Sequence, residues 1–178
     1  MCKSRKLINF SLDYAIGLQK KEDKMEDKQS LLKRITPVAV LKAITPEARS
    51  TVAKNCLGDE LIGIWSFPFR IGRESRVEKV DGKTILSERS KINKGKPNND
   101  IYLVDHGHYL QISRQHLQIE KTQTGYLVSD RGSACGTIVN TIKIGSEDRG
   151  GTGELKDGDI IKIGADDSHY LFKFITLD

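Results

Sequence analysis

From residue 37 onward the apolar positions come in short runs separated by turn residues, not at helical spacing. Residues 38–44, 61–71, 101–104, 115–121, 126–129, 137–139, 142–144, 160–163 and 169–177 each read as a strand, the second interrupted at Pro68. Gly125, Gly136, Asn140, Gly145 and the run Asp157-Gly158-Asp159 punctuate them. Leu117 and Ile119 alternate with Gln118 and Glu120, the period of a strand with one face in a core. One helix signal breaks the series. Thr45-Pro46-Glu47 offers an N-cap, a proline at the first helical position and an early acid, which predicts a turn or two of helix. Many short strands with turns between them predict an all-β sandwich over residues 36–178.

Residues 1–35 have a different texture. Leu7, Phe10, Tyr14 and Leu18 fall at helical spacing and precede a run rich in Lys, Glu and Asp. Two readings stand side by side: a short amphipathic helix with a charged linker, or a disordered leader whose few large apolar groups cannot offset its ordering entropy. Residues 74–98 show no strong pattern and read as a long functional or disordered loop. They carry seven Lys or Arg against four Asp or Glu.

The totals narrow the classes. A chain of 178 residues, 37% hydrophobic and 30% charged, suits one soluble domain with an extension. No apolar run approaches the roughly 18 residues of a membrane span. The basic N-terminus (Lys3, Arg5, Lys6) is followed by a stretch broken by Asn9, Ser11 and Asp13, unlike a secretory signal, so the expected location is cytoplasmic. The formal charge of +5 is concentrated at the front: residues 1–35 carry nine basic groups against five acidic ones, and the rest is nearly neutral. A nucleic-acid footprint over the folded part is therefore not expected. Cys2, Cys56 and Cys135 are odd in number, far apart and without a CxxC pair. Neither a disulfide framework nor a structural metal is expected, and no cofactor motif occurs.

Four pieces carry the chemistry. Ile71-Gly72-Arg73-Glu74 stands at a strand end. Ile112-Ser113-Arg114-Gln115-His116-Leu117 follows, and then Asp130-Arg131-Gly132-Ser133-Ala134-Cys135-Gly136-Thr137-Ile138-Val139-Asn140. Asp157-Gly158-Asp159 before an apolar strand comes last. In this order they resemble the forkhead-associated (FHA) family, in the form of a compact, bacterial-type stand-alone member. The resemblance implies a twisted sandwich of about eleven strands with a phosphothreonine site on the loops at one end. It further implies a non-catalytic signalling adaptor whose partner is a phosphothreonine-containing protein, a Ser/Thr kinase or its substrate. A phosphate-independent assembly module is the alternative.

The residue chemistry fits that implication. A phosphate dianion offers three acceptor oxygens, and an arginine fork grips it with paired charge-assisted hydrogen bonds. Arg73, Ser113 and Arg114 are the expected phosphate ligands. Ser133, Ala134 and Cys135 form the expected peptide-contacting loop. Gly72, His116, Gly136 and Asn140 are the expected structural support, Asn140 in a tight turn and not against the ligand. In this family an asparagine often stands before the Gly-Thr and holds the ligand's backbone; Ala134-Cys135 stand there instead. Catalytic readings find less. Gly132-Ser133-Ala134-Cys135-Gly136 is not a nucleophile elbow, since its serine is one place off. A Cys135–His116 dyad has no supporting motif. His106 and His108 share a strand face but lack a third metal ligand nearby.

Overall fold

The computed structural model describes residues 27–53, 57–58, 60–75, 98–105, 110–147 and 149–177, and the backbone alone of 77–80 and 83–86. The chain divides into two units, Met1–Pro37 and Val38–Asp178. In the first, residues 27–35 form a helix with exposed side chains. The helix expected across residues 7–18 lies outside the described residues.

The second unit is a β-sandwich. Its elements are β1 (Ala39–Ala43), α1 (Pro46–Thr51), β2 (Leu61–Ile64), β3 (Phe69–Arg73), β4 (Val77–Val80), β5 (Lys83–Leu86) and β6 (Ile101–Leu103). They continue as β7 (Leu117–Lys121), β8 (Tyr126–Asp130), β9 (Thr137–Val139), β10 (Ile142–Ile144), β11 (Gly151–Leu155), β12 (Ile160–Ile163) and β13 (Leu171–Thr176). Among the described residues, eleven strands make two sheets, in the orders β10-β9-β12-β13-β1-β2 and β11-β8-β7-β3-β6. All the pairings are antiparallel except β3 with β6. Among the described residues, β4 and β5 form a separate two-stranded sheet.

Period-2 alternation builds the core. Leu41, Ile161, Ile163, Phe172 and Phe174 from one sheet meet Ile71, Leu103, Leu117, Ile119 and Val128 from the other, all essentially inaccessible. Burying each such side chain contributes about 1.5–3 kcal/mol before entropy is counted. Tyr126 crosses between the sheets, 5.1 Å from the Phe174 ring and 5.3 Å from Phe67. The helix forms where its capping signal stands: Thr45 Oγ1 accepts from Ala48 N at 3.3 Å.

Three departures from the sequence reading have physical reasons. The run 61–71 divides into β2 and β3, which lie in different sheets; Pro68 between them lacks the N–H a ladder needs. The segment read as a patternless loop contains the β4–β5 hairpin, registered Val77 to Leu86. Asp81-Gly82, a hairpin turn pair, stands between its strands in sequence. β11 was not expected at all.

The topology gathers the functional residues at one end. β3, β6 and β8 finish there, and β7 and β9 begin there. The loops after β3, before β7 and between β8 and β9 are therefore neighbours.

Candidate functional site

Two of the expected phosphate ligands meet directly. The backbone N–H of Arg73 donates to the Ser113 carbonyl at 3.1 Å. Arg73 is 8% exposed, and its Nη1 donates to the Glu74 carbonyl at 2.7 Å. The third loop is tied to the second by Ala134 N–H, which donates to Ser113 Oγ at 3.0 Å. A serine hydroxyl has one hydrogen and two lone pairs. Accepting from Ala134 fixes this oxygen and leaves its own hydrogen to donate. Arg114, half-buried, follows Ser113 in the same loop.

Gly72 is required by close approach, not by an unusual φ. A Cβ there would lie 2.0 Å from the Arg114 carbonyl oxygen and 2.5 Å from Asn99 Nδ2. The bare Cα lets the loop that carries Ser113 and Arg114 lie against β3.

His116 is fully buried and has both ring nitrogens committed. Its Nδ1 accepts from Ser113 N–H at 2.9 Å, and its Nε2 faces the Gly136 carbonyl at 2.9 Å. A carbonyl can only accept, so Nε2 carries the hydrogen. The ring spans the second and third loops. Burial holds its pKa below the ordinary histidine value, against smaller upward pulls from the Gly136 hydrogen bond and the Asp130 charge. The Gly136 carbonyl also accepts from Gly164 N–H at 2.9 Å, which joins the β12–β13 loop to the same point. Gly136 has φ +90°, and a Cβ there would strike the Gly145 carbonyl at 2.4 Å.

The third loop is built around Asp130. Its carboxylate accepts from Ser133 N–H at 2.7 Å, Ser133 Oγ at 2.7 Å and Thr137 Oγ1 at 2.8 Å. Ser133 Oγ in turn accepts from Gly136 N–H at 2.8 Å. All three side chains are buried. The Ser133 side chain, expected among the peptide contacts, is instead spent inside the turn. Ala134 is exposed and Cys135 half-buried. The Cys135 thiol lies 3.8 Å from the Leu110 carbonyl. Burial, with help from Asp167, raises its pKa, and Lys143 opposes this weakly. A nucleophilic thiol needs the opposite shift. With both nitrogens of His116 bonded to backbone, no Cys135–His116 dyad exists.

Asn140 is not part of this cluster. It sits at the other end of β9, with φ +54°. There its amide donates to Asp159 Oδ1 at 2.9 Å and accepts from Ile160 N–H at 3.0 Å. It holds the β9–β10 turn to the start of β12, away from the loops, as the left-handed conformation of a tight turn requires.

Sequence reasoning gave no role to Asp130, Arg131 or Asn99. Asn99 Nδ2 donates to the Arg114 carbonyl at 2.7 Å, and Arg131 Nη1 donates to Asn99 Oδ1 at 2.8 Å. A polar cluster before a strand looks like any turn, so nothing marked Asn99. His106 and His108, the candidate metal pair, lie outside the described residues. Among the described residues no group of three or more potential ligands gathers, and no helix is long and apolar enough to cross a membrane.

The sandwich and its loop cradle define the class. The family profile for the FHA domain matches residues 69–164, more than half of the chain, and the chain belongs to that family. FHA domains generally bind phosphothreonine-containing proteins and are interaction modules, not enzymes. Among solved structures, an FHA domain of an Arabidopsis thaliana hypothetical protein is 21% identical, with 80% of this chain and 88% of that one covered and a TM-score of 0.45. Full-length yeast Pml1p is 18% identical, with 87% and 92% covered and a TM-score of 0.49. Mycobacterium tuberculosis EmbR, solved with a low-affinity phosphopeptide, is 22% identical, with 89% of this chain covered and a TM-score of 0.45. The chain spans about a third of EmbR's length, 31%. No curated protein matches.

Proposed function

We propose that this protein is a phosphothreonine-dependent adaptor. Arg73, Ser113 and Arg114 grip the phosphate, and Ala134 and Cys135 face the peptide beside it. Gly72, His116, Ser133 and Gly136 hold these groups from beneath. The partner is a Ser/Thr kinase or its substrate in a cytoplasmic signalling circuit. The observation that carries this reading is the direct bond between the two principal loops, Arg73 N–H to the Ser113 carbonyl. It supports the reading by joining the loop that carries a forked cation to the loop that carries a hydroxyl donor, the two groups a phosphate grip needs.

The peptide grip is the weaker half of the pocket. Alanine offers no side-chain hydrogen bond and a thiol only a feeble one. That feature favours the second reading, an assembly module that needs no phosphate. A phosphothreonine peptide library, screened beside its unphosphorylated counterpart, separates the two. Selective capture of phosphorylated members supports the adaptor. Equal capture of both, or none, supports the assembly module.

A further inference from the structure

The loop that carries Ser113 and Arg114 is held by two neighbours, β3 and the segment before β6. Its two consecutive carbonyls have different partners. Ser113 C=O accepts from Arg73 N–H, a bond that any β3 residue with an N–H can supply. Arg114 C=O accepts from the Asn99 side chain. Asn99 has one amide with two ends, and Arg131 occupies the other end through Oδ1. Arg131 also donates to Asn98 Oδ1 through its second amino group. The fork is thus spread over two neighbouring asparagines. Its charge sits half-buried beside Arg70, Asp100 and Tyr102, and burial and then Arg70 lower its pKa.

This arrangement settles the Asn99 rotamer. With Arg131 donating to it, the oxygen must face Arg131 and the NH2 must face Arg114. The amide therefore reaches the Arg114 carbonyl as a donor and not as a repelling acceptor. The contact happens over Gly72, where there is no side chain to part the two.

We infer that Asn99 and Arg131 are positioning residues of the phosphate site. Arg131, from the β8–β9 loop, orients the Asn99 amide, and Asn99 fixes the Ser113–Arg114 segment against Gly72. The inference rests on the phosphate reading of Ser113 and Arg114. It adds a second link, besides His116's bridge, between the peptide-facing loop and the phosphate-gripping loop.

The test uses the full chain, a phosphothreonine peptide selected from the library, and three variants. Asn99→Asp is nearly isosteric and still accepts from Arg131, but it turns an oxygen toward the Arg114 carbonyl. Asn99→Ala removes the relay, and Arg131→Gln frees the amide to flip. The expected result is at least tenfold weaker binding for both Asn99 variants and a smaller loss, about threefold, for Arg131→Gln. Melting temperatures should stay within a few degrees of wild type. A purely structural role would lower melting and leave affinity at low temperature intact. Binding within twofold of wild type in Asn99→Asp overturns the inference while leaving the phosphate reading standing. If that variant fails to fold, Arg131→Gln decides by the same criterion, since it leaves every backbone contact of the loop in place. A wild-type protein that binds no phosphothreonine peptide overturns the phosphate reading itself, and this inference with it.

Discussion

The backbone N–H of Ser113 donates to Nδ1 of the buried His116 across 2.9 Å. The ring therefore serves the phosphate loop as an acceptor, and it can do so only while neutral. Protonating Nδ1 would set a second hydrogen against Ser113 N–H. Burial already holds the folded pKa below the ordinary value. The unfolded ring, with a pKa of about 6.5, takes up a proton first as pH falls. The unfolded state then binds more protons, so stability is full above that value and is lost as pH drops below it. Melting curves of the ligand-free protein between pH 8 and 5 should show this decline, and His116→Ala should remove much of it.

His116→Ala itself should cost about 2–3 kcal/mol, the upper part of the usual range for one substitution, because a bridging hydrogen-bond pair is broken in a buried site. Chemical denaturation measures it. Binding should fall as a consequence of the loosened loops.

Gly72→Ala should be as damaging, for a different reason. The added methyl would lie 2.0 Å from the Arg114 carbonyl, against backbone that cannot step aside. Overpacking of this kind costs about 1–3 kcal/mol. Both the melting temperature and phosphopeptide affinity should drop. A variant with wild-type affinity would mean that the loop need not lie against β3.

Much of this was legible in the sequence, and the exceptions are instructive. Short apolar runs located β1, β6 to β10, β12 and β13, and the capping signal located α1, because periodicity and turn chemistry are local. β11 escaped because its sequence, Gly-Thr-Gly-Glu-Leu, has poor strand propensity. The structure explains the glycines: a Cβ on Gly153 would lie 2.5 Å from Ile144 Cδ1, and one on Gly151 would lie 2.9 Å from Gly145 N. Space beside β10 chose those residues, and packing between two strands does not show in the propensity of either one. Arg73, Ser113 and His116 were readable because an ordered motif set surrounds them. Ser133 was grouped with the peptide contacts because only the fold reveals Asp130 beneath it. Asn140 was readable as a tight-turn residue, and its positive φ agrees; its distance from the loops was not, since β9 carries it to the far end.

Ser133→Ala tests that internal role. It removes a donor to Asp130 and leaves Gly136 N–H without its acceptor. A buried unsatisfied group costs about 1–3 kcal/mol. A melting temperature equal to wild type would contradict the placement.

Cys135→Asn asks whether the peptide grip can be restored. The thiol is half-buried at the loop surface, open enough for an amide to stay solvated. One recovered hydrogen bond to the ligand's backbone is worth about 0.5–1.5 kcal/mol, or roughly two- to tenfold in affinity. Titration calorimetry with one phosphothreonine peptide, paired with a melting curve, reads both terms. A lower melting temperature without tighter binding would show that position 135 serves packing.

The central claim is that Arg73 grips a phosphate, and calorimetric titration of wild type and Arg73→Ala with the same phosphothreonine peptide tests it most directly. Losing a bidentate charged contact in a desolvated site costs about 2–5 kcal/mol, so affinity should fall about 30-fold or more. Arg73→Lys should recover only part of it, because an ammonium lacks the planar fork. The folded state should survive the change, as an unaltered far-ultraviolet spectrum would show. Unchanged affinity in Arg73→Ala, with the phosphorylated and unphosphorylated peptides bound alike, would contradict the account.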